Sequence, residues 1–551
     1  TQMKVINKMK IWGMASLILL GTTSCDDFLT RDNPKGVTDD DFWKTMNECE
    51  SALGQCRSWP HGTYHYTAPN MALLHLEGNT DNEYFLSNFQ QQVINMGNGS
   101  LTPTSGGYIS SIWEYYYIYI RRCNRFLEHV NDAYFTIEKE RQRMIADVKV
   151  WRAWYHMQLL LWYGRNDGIP IVSTALSGED IYQKRNSVEE CLEFINKDLD
   201  DVISITDDEI CPFLWDEGNR SRMSRSSALA LKMDLNLQFK RYDVAKEAAK
   251  KLIDSGAFEL YYTTATDDDP GKNFRDLFNY TGEQNKERII FTNDGLKEFW
   301  FRCMGTILGG QGTCAVLKSL VDEFETADGK PLTSLSPEER LKLEKNPFYM
   351  DRDPRLYCTV VVPGDSTSIS NYKYEPFNES SSDYFSKTGA VRSGYMLKKW
   401  LSEQDRASGR GSLDYVLYRY AEVLLDYVEC LVELGDWKNP DVEKYLNMIR
   451  NRAGMPNMDK SVYNTQEKVR ELYRRERRVE LAFEGKRYHD IRRWGIGQET
   501  MNGPIYGAYN PNTDAFITIE NRNCVFPKND SWPLPQSEVT ANPNIGQPIG
   551  W

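Results

Sequence analysis

From Tyr420 onward the apolar residues Tyr420, Val423, Leu424, Tyr427, Val428, Leu431 and Leu434 recur at a helical period, and Gly435 closes the run. A stripe that wide must be buried against other helices. The following sequence supplies them: a helix over 441–453 closed by Gly454, and another over 465–484 closed by Gly485. Upstream, Ala146, Val150, Ala153, Trp154, Met157 and Leu161 keep the same spacing as far as Gly164, and Pro170 excludes helix just beyond. Residues 112–130, 186–205 and 224–255 are further helical stretches. The last has small and apolar residues at helix-hairpin spacing and ends at Gly256, as in a tetratricopeptide-like unit. Thr38 to Asp41 reads as a capping box before Phe42 and Trp43. Two long stretches, 57–112 and 262–400, lose the period and are rich in Gly, Asn, Ser and aromatics, with short possible strands at 288–292 and 359–362. The tail from 526 is Pro-rich and extended. The chain is therefore expected to be mainly α. Helix hairpins form the scaffold, two loop-rich insertions decorate it, and no low-complexity linker divides it.

The beginning of the chain points to export. Thr1 and Gln2 are set aside, and from Met3 a basic head (Lys4, Lys8, Lys10) precedes a short apolar run over 11–20. That run is too short for a spanning helix, which needs about 20 apolar residues. Gly21, Thr22, Thr23 and Ser24 lead into Cys25, the pattern of a lipoprotein signal. Residues 3–24 are expected to be removed and Cys25 acylated, leaving 25–551 as a single anchored domain. Asp26 and Asp27 are too acidic for membrane contact and resemble an export tag to the outer face of an outer membrane.

A net charge of −13 argues against nucleic acid or anionic lipid as a partner. The 11 Cys include no CxxC pair, so most read as buried thiols, with Cys49/Cys56 and Cys303/Cys314 close enough in sequence to pair.

Few residues suit catalysis. Glu476, Glu480 and Glu484 recur every four residues among arginines, which describes a salt-bridged helix face. A glycosidase instead needs two carboxyls across a cleft. Glu422, Asp426, Glu429 and Glu433 are natural partners for those arginines. His61 and His65 have a metal pair's spacing but lie among Pro60 and Gly62, as in a loop. Asp267 to Asp269 lacks the alternation of a calcium loop, and the Gly-rich 309–312 lacks the Lys of a phosphate loop. No enzyme activity and no cofactor are expected. A structural calcium stays open, and a surface glycoside hydrolase is the distant alternative.

The aromatics are more informative. A sugar site needs a flat ring for the apolar face and polar groups for the hydroxyls. RSWPHGTYHYTAPN and GNTDNEYF offer Trp59, Tyr64, Tyr66, Asp81, Asn82 and Tyr84. LKEFWFRC offers Phe299, Trp300, Phe301 and Arg302, and VRSGYMLKKW offers Arg392 and Tyr395, although its Gly-Tyr reads equally as scaffold. Trp151, Trp154 and Trp162 lie on a regular helix and are expected in the core.

Four stretches together resemble the SusD/RagB family of nutrient-binding outer-membrane lipoproteins: VWRAWYHMQLLLWYGRNDGIPIV (150–172), RYAEVLLDYVECLVELGDW with LNMIRNRAG (419–437, 446–454), RRERRVELAFEGKRYHDIRRWG (474–495) and WPLPQSEVTANPNIGQ (532–547). The resemblance implies a SusD-like fold of four tetratricopeptide-like helix pairs with a loop-rich ligand-binding half. It implies a cell-surface protein that captures oligo- or polysaccharide and hands it to a SusC-like TonB-dependent β-barrel. A RagB-like capture of oligopeptides is the alternative within the family. It also places the ligand site in the loops after the first helices and just beyond the strand at 287–291, next to Phe299–Arg302.

Overall fold

The computed structural model describes residues 42–58, 73–86, 91–263, 268–293 and 295–551. Cys25, Trp59, Tyr64, Tyr66, His61 and His65 lie outside the described residues, as do the export signal and the capping box at Thr38. The scaffold helices are α1 (Met46–Cys56), α2 (Tyr108–His129), α3 (Glu138–Tyr163), α4 (Val188–Ile203), α5 (Arg225–Gln238), α6 (Tyr242–Asp254), α7 (Tyr420–Glu433), α8 (Pro440–Arg452), α9 (Gln466–Glu480) and α10 (Arg487–Arg493). Helices α2 to α9 pack in chain order as four pairs, with α1 against α2. Polar N-caps start several of them: Ser187 and Glu190 form a capping box on α4, and Thr465 Oγ1 accepts from Lys468 N at 3.3 Å on α9. Gly435 and Gly454 sit at φ +86° and +79°, the left-handed conformation that ends a helix without a Cβ clash.

The third pair, α6 with α7, is split in sequence by residues 255–419, so one large insertion begins and ends within a single helix pair. Its strands are short. β3 (Cys314–Val316), β5 (Met396–Leu397) and β4 (Val360–Val361) continue an antiparallel sheet, in that order, from β1 (Glu83–Phe85), which lies outside the insertion. β2 (Arg288–Thr292) pairs with β6 (Tyr415–Arg419), which runs directly into α7. A hairpin of two nine-residue strands, β7 (Asn502–Asn510) and β8 (Ala515–Asn523), lies within a stretch with no expected element. Its Gly, Pro and Asn content hides the period-2 pattern of a strand.

The charged ladder is what fastens insertion to scaffold. Along α7 every residue from Tyr420 to Val432 is buried, acidic ones included, so each carboxylate needs a partner. Arg477 meets Asp426 and Glu422 and Arg493 meets Glu429, as the spacing predicts, and Arg470, just before the charged run, meets Glu433. On the other face of α9, Glu480 receives Arg355, Arg419 and Arg452, none more than 1% exposed. Arg419 also holds Glu287 at 2.7 Å and Glu484 at 2.7 Å, and Arg452 holds Glu287 at 2.9 Å. Glu287 precedes β2 and Arg355 lies in the insertion, so the network ties them to α8 and α9. Burial opposes ionisation of Glu480, but Arg452, Arg419 and Arg355 outweigh it and hold the carboxyl far below the usual range. Trp400 and Phe483, both with left-handed φ (+70° and +58°), are clamped together where the indole donates to the Phe483 carbonyl at 2.8 Å.

Candidate functional site

The segment after β2 folds back on itself. A short helix, Phe299–Cys303, is followed by a Gly-rich turn that returns to β3. Two backbone rungs close the fold: Gln311 N donates to Phe301 O at 2.8 Å, and Thr313 N donates to Arg302 O at 3.1 Å. A second loop backs it, with Phe301 N donating to Gly409 O at 3.2 Å. Gly409 has φ +68°, and an added Cβ there would lie 3.4 Å from Phe301 Cβ, so glycine lets this backbone run close beneath the ring.

The result is a half-exposed ring edged by polar groups. Phe301 is partly buried, and the Arg302 guanidinium lies 5.6 Å from its centroid. Arg302 donates to Gln311 Oε1 and Glu298 Oε2, both at 3.0 Å. Arg410, whose side chain is 75% exposed, approaches the other Glu298 oxygen at 3.3 Å. A flat apolar face beside two guanidiniums, a carboxylate and an amide matches the mixed surface of a sugar ring.

Tyr84 and Arg392 make a second patch. Tyr84 is half-buried on β1, and burial first, then Glu520 of β8, raise its hydroxyl pKa while the exposed Arg392 and Arg522 oppose them. Tyr84 packs on the apolar cluster that contains Trp300.

The remaining candidates are interior. Trp300 is 3% exposed and its indole N–H donates to the Leu308 carbonyl at 2.8 Å. Phe299 and Tyr395 are buried in the same way. Asp81 is held by Arg487 at 2.8 Å and Arg478 at 3.0 Å. Burial pushes its carboxyl up, and the two arginines outweigh that and hold it well below the usual range. Asn82 bridges Glu77 and Arg478. These five residues, expected to face ligand, lie in the interior, and the polar atoms of Trp300, Asp81 and Asn82 are bonded to protein. A Gly/Asn-rich sequence around a residue signals irregular backbone, not exposure, and a large chain buries much of its irregular backbone. Glu298, Gln311 and Arg410 were missed. Gln311 lies in a Gly-rich stretch whose sequence signals only a tight turn, and the other two carry no local signal.

A wide cleft of about 710 Å³ between α1 and α3 contains Tyr134, Trp215 and Arg222. Its Trp215 and Arg143 are already engaged. The Trp215 indole donates to Met223 O at 2.8 Å beneath Arg222, and Arg143 pairs with Glu140 and Glu50. Among the described residues, no group of three or more His, Cys, Asp or Glu is arranged to hold a metal ion. No helix among them is long and apolar enough to cross a membrane.

Comparison with known proteins covers nearly the whole chain. Residues 274–551 match the model of the SusD family, and residues 46–232 match a model described as starch-binding, associating with the outer membrane. SusD-like protein P38 of Formosa agariphila is 24% identical, covering 97% of each chain. Among solved structures, a SusD-like protein from Bacteroides fragilis superposes with a TM-score of 0.78 at 25% identity, covering 94% of this chain and 99% of that one. Surface glycan-binding protein A from Bacteroides thetaiotaomicron, solved in complex with laminarihexaose, superposes at 0.66 with 19% identity, covering 92% and 99%.

Proposed function

The chain belongs to the SusD family, and we propose that it captures oligo- or polysaccharide at a cell surface and passes it to a SusC-like TonB-dependent barrel. The observation that carries the ligand class is the platform at Phe301, where a half-exposed ring is edged by Arg302, Gln311, Glu298 and Arg410. The glycan complex of the structural relative supports the same class. A preformed platform needs little reordering on binding, which favours a ligand held by a few ring contacts and edge hydrogen bonds. Acylation at Cys25 would hold the domain at the outer membrane and raise ligand concentration at the barrel mouth. The role is capture rather than cleavage: Glu476 and Glu480 of α9 are paired with arginines in the interior, not set opposite each other across a cleft as a glycosidase needs.

Isothermal titration of residues 26–551 against panels of oligosaccharides and oligopeptides tests the reading. Binding to at least one glycan is expected. Silence across glycans with binding to peptides overturns it in favour of peptide capture.

A further inference from the structure

The turn that carries the platform begins and ends on a cysteine. Cys303 closes the short helix and Cys314 opens β3. Both are fully buried, and their sulfurs are 3.7 Å apart. A disulfide has sulfurs about 2.05 Å apart with its Cβ atoms about 3.8 Å apart, so thiols already in contact need only small side-chain rotations to close. The rungs from Gln311 to Phe301 and from Thr313 to Arg302 already hold the two arms side by side.

A third group stands beside them. Glu83 of β1 is fully buried, and neither carboxylate oxygen receives an N–H or O–H from any described residue. The Cys314 thiol is the polar group against it. Burial, and then Cys314, keep the Glu83 carboxyl well above the usual range, so it stands protonated and uncharged beside the sulfurs, where a carboxylate without a cation or amide partner would be costly to bury.

We propose that Cys303 and Cys314 are a disulfide site, closed in the oxidising surroundings that the export signal implies. The oxidant is a small-molecule or protein disulfide, RSSR. One thiolate, formed while the turn is still open, displaces RS⁻ from RSSR and leaves a mixed disulfide at Cys303. The Cys314 thiol then loses its proton to solvent while the turn is open, and its thiolate attacks Cys303 Sγ and expels the second RS⁻. Each RS⁻ ends as RSH, so two protein thiols are oxidised and one RSSR is reduced. The new bond is a covalent rung between the arms that present Arg302 and Gln311, and it fixes their spacing.

The test needs no ligand, so it stands or falls independently of the glycan reading. Trypsin cuts after Arg302 and Lys318, which puts both cysteines in one peptide, 303–318. The full chain, produced in an exporting host, is denatured in iodoacetamide without reductant, digested and weighed. The expected product is peptide 303–318 two hydrogens lighter than its dithiol and free of label, gaining two labels only after reduction. A doubly labelled peptide without reduction overturns the proposal.

Discussion

Replacing Glu480 by Gln keeps the size of a side chain at the centre of the buried network and removes only its charge. Three guanidiniums, those of Arg355, Arg419 and Arg452, lose a partner at once. Arg355 retains Asp353 and Glu476, and Arg419 retains Glu287 and Glu484. Arg452 retains only Glu287 among its ion pairs and is fully buried, so it bears most of the loss. Breaking one buried pair costs about 3–5 kcal/mol, and the partners that remain place this case near about 3 kcal/mol. Arg470→Ala breaks a pair with Glu433 whose side chains are 25% and 14% exposed, and there the loss is expected to be about 1 kcal/mol. Urea unfolding of both variants and the parent, followed by circular dichroism, measures the difference. Urea is the right denaturant because a guanidinium salt would screen the pairs under test. A Glu480→Gln loss no larger than that of Arg470→Ala would refute the claim that this network fastens the insertion to the helices.

Three further expectations follow from the same contacts. Trp300→Ala empties a filled core site and should destabilise by about 3–5 kcal/mol; full stability with lost ligand affinity would return Trp300 to the surface. Burial raises the Asp490 carboxyl, but Arg477 and Arg493 outweigh it and lower it from 3.8 to about 2. Its folded-state pKa is depressed, so its stabilisation, about 2 kcal/mol, is present above the unfolded value and lost as pH falls through about 2. The stability gap between parent and Asp490→Asn should therefore narrow over that acid window, and a gap constant with pH would contradict it. Cys25→Ser should release the protein from the membrane fraction while leaving solution affinity unchanged, and a matching loss of affinity would contradict the separation of anchor from site.

The scaffold was legible in sequence because helices with one buried stripe repeat it every turn. The stripe from Tyr420 to Leu434 and the carboxylates between its members pointed to both the helix and its partners in the charged run, among them Arg477 and Arg493. The site was much less legible. Phe299, Trp300 and Phe301 are three consecutive aromatics on one short helical turn, where successive side chains point in different directions. Only Phe301 reaches the surface, and which one does so depends on the loop around Gly409, more than a hundred residues away. Asp81 looked like a free loop acid because Arg478 and Arg487, the groups that bury it, lie about four hundred residues downstream. The β7–β8 hairpin escaped for a different reason, since its pairing is irregular and neither strand alternates cleanly between buried and exposed.

The most direct test of the account is the glycan affinity of Phe301→Ala against that of the parent, by isothermal titration with whichever oligosaccharide binds most tightly. Loss of one stacked ring should cost about 1 kcal/mol or somewhat more, roughly a tenfold weaker Kd, with the circular dichroism spectrum and melting temperature unchanged. An unchanged Kd in a folded variant would contradict the assignment of the ligand platform to this turn.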